Sequence, residues 1–235
     1  MIRVAIHQPE FLGWLGFYHK MSRADVWVVL DDVQFIKRGF LQRNRIKTAH
    51  GVQWLTVPVL TKGAFTQRIR DVRIDEGRDW RRKHLATLRN AYAGAPFLGE
   101  FLSILEGAYP EPGDRLWELD VHVFRAVAAR LGIAPRFVLA SELGVQSEAT
   151  DRLVDLTRAA GGDVYVSGQG GFRYMDVAAF ERAGIALETT HPVDEPYPQL
   201  HGPFEPNLAL FDSLVSIGLE ETRRRVLHGS VHSIS

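Results

Sequence analysis

The chain contains no cysteine. That absence removes disulfides, thiolate nucleophiles and cysteine-ligated metals together. It also has no net charge, since 28 Lys and Arg balance 28 Asp and Glu. A surface coated in basic charge for duplex nucleic acid is therefore not expected. No apolar run approaches the ~18 residues of a bilayer span. The first residues follow a strand pattern rather than a charged segment leading into a signal-peptide core. These features lead to the expectation of a soluble, cytoplasmic protein. HExxH is missing, and so are the P-loop and the dinucleotide fingerprint. No metal site is expected.

Hydrophobic residues make up 46% of the 235 positions. A sizeable core follows, and disorder does not. Residues 2–6 alternate as a buried strand that stops at Pro9. Residues 12–22 have a helical pattern around Gly13-Trp14-Leu15-Gly16-Phe17. Val26 to Leu30 is apolar and β-branched, as a central parallel strand requires. Further strands are predicted at 53–60, 69–74, 136–139, 163–166 and 185–189. Helices are predicted at 78–92, 96–108, 116–131, 147–160 (with Ser147 as N-cap), 175–183 and 207–215, the last continued over 219–227. The tail from His228 has little pattern. Alternating strands and helices imply an α/β fold with a mostly parallel sheet and flanking helices. No linker divides the chain, so residues 1–235 read as one domain with a helical subdomain inserted at about 78–132.

Three stretches carry chemistry. His7, followed by Gln8-Pro9, stands where the first strand emerges. It is either a base or anion ligand, titrating near working pH, or a histidine satisfied by a backbone carbonyl. Asp31 and Asp32 end the second strand, the usual place for a catalytic carboxylate in an open sheet. Arg38, Arg43 and Arg45 are their candidate partners, and turn formation is the alternative. Lys37, Arg38, Arg43, Arg45 and Lys47 then place five positive charges within eleven residues, interleaved with Gln34, Gln42 and Asn44. That mixture reads as a pocket for a polar anionic ligand such as a nucleotide, pyrophosphate or carboxylate, with a solvated charged face as the alternative and single-stranded nucleic acid as a lesser one. Later, Ser167-Gly168-Gln169-Gly170-Gly171 follows a strand and precedes a helix. Its glycines allow backbone N–H groups to approach an anion, and a plain tight turn is the equal alternative. Tyr174 lies just beyond. His191 and His201 decorate a loop stiffened by five prolines. His50, His84, His122, His228 and His232 read as scattered surface residues.

Together, Ile6-His7-Gln8-Pro9, Gly13 to Phe17, Asp31-Asp32-Val33-Gln34-Phe35, Lys37-Arg38-Gly39-Phe40, Arg43 to Lys47 and Trp54 to Pro58 resemble the WbqC-like protein family. Ser167 to Gly171, Tyr174-Met175-Asp176, Ala183-Gly184-Ile185 and Asn207 to Asp212 extend the resemblance to the C-terminal half. Glu10 and Phe11 depart from the family's frequent Asn and Tyr, and Gln169 from its frequent Pro. The resemblance implies surface-polysaccharide or natural-product biosynthesis. The implied activity is transfer of glycine or another acyl group onto the amine of an amino sugar, sugar nucleotide or related intermediate. His7, Asp32 or Asp31 would then be catalytic. The donor would be a carrier-protein thioester, a CoA thioester or an aminoacyl-tRNA. A further similarity is to HIGH-type nucleotidyltransferases with a Rossmann-like fold, although the HxGH pair itself is missing. It gives the alternatives of ATP-dependent adenylyl transfer or ligation, beside a non-catalytic partner of a glycan-assembly complex.

Overall fold

The strand Arg3–His7 (β1) sits at the centre of a six-stranded sheet. This computed structural model describes residues 1–63, 66–109, 113–171, 175–193 and 195–234. From β1 the chain passes through the helix Leu15–Ser22 (α1) to Val26–Val29 (β2), which pairs parallel with β1, His7 opposite Val29. A hairpin follows, built from Arg43–Thr48 (β3) and Gly51–Thr56 (β4). Next come the helices Trp80–Ala91 (α2), Leu98–Ala108 (α3) and Leu116–Arg130 (α4). The chain returns to the sheet as Arg136–Leu139 (β5), parallel to β2. Ala149–Ala159 (α5) leads to Val164–Gly168 (β6), on the other side of β1. Val177–Ala183 (α6), Ala186–Pro192 (β7), Phe211–Leu227 (α7) and Gly229–Ile234 (β8) complete the chain. The strand order is β5-β2-β1-β6-β7-β8, parallel except for β8. The fold is thus α/β with a mostly parallel sheet and helices on both faces.

Alternation along the strands divides the core. Val4, Ile6, Val26, Val28 and Tyr165 face α5 and α6. Ala5, Trp27, Val29 and Val166 face α1, the three-helix section and α7. Both faces are covered, and β2 accordingly is an unbroken apolar run. Each large buried side chain contributes roughly 2–3 kcal/mol of apolar burial.

Four expectations are corrected. The stretch expected as a basic loop with a separate strand at 53–60 is the β3–β4 hairpin, outside the main sheet. Its charges at 43, 45 and 47 have the period of a strand. Gly51, at φ +92, opens β4 directly after the two-residue connection Ala49-His50. The strand expected at 69–74 is a 3-10 turn, Ile69–Asp71, buried through Ile69, Val72 and Ile74. The patternless tail is β8, bonded along the edge of β7. Such an edge strand is held by backbone bonds, and half-exposed residues leave no apolar signal. Ser147 does not cap α5: Glu148 is the N-cap residue, and the Ser147 hydroxyl donates to Asp155 Oδ2 at 2.7 Å.

Candidate active site

In this strand order the chain leaves β1 to one side for β2 and reaches its other side only with β6. The crevice at the carboxyl ends of β1 and β6 is therefore a topological switch point, where open α/β sheets bind ligands. A cavity of about 630 Å³ lies there. The end of β1 contributes His7, Gln8 and Glu10, and α1 contributes Gly16, Phe17 and Lys20. The turn after β6 contributes Ser167 to Gly171, while Gly39, Phe40 and Leu41 border the cavity from the loop before β3. A second chamber of about 340 Å³ shares Glu10, Trp14 and Phe40 with the first and adds Arg45 and Asn207.

The Gly13 to Phe17 motif is explained by close approach. A Cβ at Gly16 would stand 2.3 Å from the Trp14 ring, and one at Gly13 would stand 2.5 Å from Phe17. Only glycine lets these rings lie flat on the backbone. Phe17 then meets the imidazole of His7 edge-on at 5.2 Å, while Trp27 stacks on it at 5.7 Å.

Three titratable groups meet at the cavity. His7 Nδ1 donates to the Gln8 carbonyl at 2.8 Å, which leaves Nε2 bare and 3.9 Å from Glu10 Oε1. Burial, with the Lys20 charge second, pushes the His7 pKa down to about 3, so the ring is neutral. About 30% of its side chain stays open. Lys20 Nζ donates to the Ile6 carbonyl at 2.8 Å. Burial lowers its pKa to about 7 against the opposing pull of Glu10. Burial raises Glu10 to about 7, opposed by Lys20. An acid and an amine are thus held near neutrality in one cavity. Asp120 on α4 is fully buried, and neither of its oxygens has a hydrogen-bond partner among the described residues. Burial first, then Glu10, push its pKa well up.

The structure brings His7, Gln8, Ser167, Gly168, Gly170 and Gly171 to this cavity. In the turn, Gly171 N–H closes onto the Gly168 carbonyl at 3.1 Å. Asp31 and Asp32 do not line the cavity. Asp31 accepts from the backbone N–H and hydroxyl of Ser141, at 3.0 and 2.6 Å. Asp32 pairs with Arg152 at 2.6 Å. Neither uses the expected Arg38, Arg43 or Arg45.

The five cations do not converge on one pocket. Lys47 Nζ, buried, donates to Gln199 Oε1 and to the carbonyls of Gly202 and Pro203. Arg45 holds the Pro206 and Asn207 carbonyls. Arg43 lies 4.0 Å over the Trp54 ring, and Lys37 and Arg38 are exposed. The interleaved amides serve the fold. Asn44 donates to the carbonyls of Phe11 and Leu12, Gln42 accepts from Arg38 N–H, and Gln34 bridges Arg68 through the backbone. His191 reaches the cavity only through Gln169, 2.7 Å away, and His201 bonds the Ala91 carbonyl. Tyr174 lies outside the described residues. His84 is not at the surface: it is buried, with Nε2 donating to the Thr56 carbonyl at 2.8 Å.

Glu10 and Lys20 were absent from the sequence-derived site. Lys20 had a legible signal, since it stands three residues after Phe17 and four after Gly16, on the inward stripe of α1. Glu10 had only its position three residues after His7.

The model of the WbqC-like protein family matches residues 8–224. The chain belongs to that family. A relative in Mycobacterium tuberculosis (strain H37Rv), described as uncharacterized protein Rv1507c, is 35% identical over 223 residues, covering 94% of this chain and 96% of the relative. This WbqC-like chain matches no solved structure. Among its described residues no helix is long and apolar enough to cross a membrane. Nor do three or more His, Asp or Glu side chains gather as a metal site.

Proposed function

We propose that the chain is an acyl- or aminoacyltransferase acting on the amine of an amino sugar, a sugar nucleotide or a related intermediate. One observation carries this reading: Glu10 and Lys20, both tuned to about 7, line the switch-point cavity that also holds the glycine turn. A base with a pKa near the working pH suits proton abstraction from an ammonium or attacking amine. WbqC-like family membership supports a biosynthetic enzyme.

In this reading the amine nitrogen attacks the carbonyl carbon of an acyl ester or thioester. The N–C bond forms as Glu10 takes the amine proton. The N–H groups of Gln169 and Gly170, which have no backbone acceptor among the described residues outside the helices and strands, receive the developing oxyanion. The C–O or C–S bond then breaks, and the alcohol or thiol leaves with the proton held by Glu10. Neutral His7 accepts a second N–H of the amine at Nε2 and fixes its orientation. With no cysteine in the chain, attack is direct rather than through an acyl-thioester on the enzyme.

The test is mass spectrometry of UDP- and dTDP-linked amino sugars incubated with the protein and a panel of aminoacyl-tRNA, CoA and carrier-protein thioester donors. The reading expects the acceptor to gain the mass of the acyl group less one proton. Unmodified acceptors across the panel, with the protein folded, would refute it.

A further inference from the structure

We propose that the outer face of the β3–β4 ribbon is the subsite for the nucleoside diphosphate part of a nucleotide-activated amino sugar. The proposal deepens the transfer reading, and rests on it for which end of the ligand enters the larger cavity.

Strand register sets the composition of this face. Arg45 pairs across the ribbon with Trp54, and Arg43 is two residues away on the same side. The Arg43 guanidinium lies 4.0 Å over the Trp54 ring, whose centroid is 5.8 Å from that of Phe40. Trp54 and Phe40 are 44% and 46% exposed, whereas most aromatic side chains here are buried. The guanidinium of Arg43 makes no hydrogen bond or ion pair with any described residue, and its Nε is shut off from solvent. The two Nη groups of Arg43 are not buried and are therefore what an acceptor from outside the chain can reach. Arg45 Nε is also buried without a partner, and its Nη2 is held by the Pro206 and Asn207 carbonyls.

This face communicates with the catalytic groups. Phe40 borders both chambers, and the smaller one runs from Arg45 to Glu10. The surface places aromatic rings and two guanidinium groups beside a chamber that Glu10 also lines. A nucleotide sugar brings matching parts: a planar base, two phosphates, a sugar and its amine. Exposed aromatic rings stack on nucleobases, and Arg is the side chain suited to phosphate oxygens. A simple carboxylate would leave the rings idle. A long RNA track would need more basic surface than a chain of zero net charge offers.

The experiment is isothermal titration of the intact protein with UDP and with dTDP, repeated on Arg43→Gln and Trp54→Leu. Both side chains are partly exposed, and melting curves confirm folding. The proposal expects saturable binding that weakens at least about tenfold in each variant. It is overturned if neither diphosphate binds at millimolar concentration, or if both variants bind as the parent does. It is also overturned if a short single-stranded RNA ending in CCA binds more tightly than either diphosphate through Arg43. Arg43-dependent diphosphate binding without any acyl transfer would leave the subsite standing and remove the transfer reading. Transfer with an unchanged KM in both variants would do the reverse.

Discussion

His7 presents its bare Nε2 to Glu10 Oε1 across 3.9 Å, while its Nδ1 is committed to the Gln8 carbonyl. The spacing is too long for a hydrogen bond. A polar hydrogen of a ligand placed between the two would satisfy both acceptors. The pair faces a cavity at the one place in the sheet where strand order reverses, and the Lys20 charge opposes the effect of burial on Glu10.

That charge sets a pH dependence. Glu10 acts as a base only when ionised, so activity should rise with pH through about 7. Lys20 lowers the Glu10 pKa against the larger effect of burial. Lys20→Met removes that help, so the acidic limb of the pH–rate profile should move to higher pH. A limb that stays in place or moves down would show that Lys20 does not act on the base.

The glycine turn gives a second prediction. A Cβ at Gly170 meets nothing within 4 Å, because it points into open space beside the cavity. Gly170→Leu should lower activity at least tenfold and leave the melting temperature unchanged. Gly16→Ala differs, because its Cβ would stand 2.3 Å from the Trp14 ring. It must displace that wall of the cavity, and both activity and stability should fall.

The two aspartates should affect folding before chemistry. Asp31→Ala deletes two hydrogen bonds to Ser141 from a buried carboxylate, at a cost of about 2–4 kcal/mol. Asp32 and Arg152, 12% and 17% exposed, form a largely buried ion pair. Removing either partner alone leaves the other charge largely buried and unpaired, and removing both does not. A double-mutant cycle in urea measures this, with an expected coupling of about 1–3 kcal/mol. Loss of turnover in Asp32→Asn without loss of stability would place that carboxylate in the chemistry instead.

His84 makes the fold acid-sensitive. Burial holds its pKa down to about 4 against an ordinary 6.5. In that interval the unfolded chain binds the extra proton. The stabilisation is complete above about 6.5 and is lost as pH falls toward 4, amounting to roughly 3 kcal/mol. His7 adds in the same direction. His84→Gln keeps a donor for the Thr56 carbonyl and should flatten the decline between pH 6.5 and 4 in denaturant melts. An unchanged slope would contradict this.

The parallel sheet was legible because β2 is an unbroken apolar run and β1 and β6 are short apolar segments that end in polar residues, as strands buried on both faces do. The positions of His7 and the Ser167 to Gly171 turn were legible because both end such runs. The basic stretch misled, since counting its charges hid their two-residue period. Once folded as a ribbon, Asn44 faces inward to hold the Phe11 and Leu12 carbonyls, while Arg43, Arg45 and Lys47 share the opposite face, where the loop at Gln199 to Pro203 covers Lys47 alone. Asp31 and Asp32 stand at the right end of a strand, but their partners Ser141 and Arg152 lie more than a hundred residues away. Nothing local in a sequence reveals such a pairing. Glu10 escaped notice for a related reason: its altered pKa comes from burial, which belongs to the fold.

The most direct test of the account compares Glu10→Gln with Asp32→Asn in single-turnover acyl transfer to an amino-sugar nucleotide, using the donor found active with the parent protein. The account predicts that Glu10→Gln slows the chemical step at least about a hundredfold, within the range of a general base, and abolishes the rise in rate near pH 7. Folded Asp32→Asn should keep both the rate and the profile. A Glu10→Gln variant that turns over like the parent, with its pH profile intact, would contradict the assignment of the base.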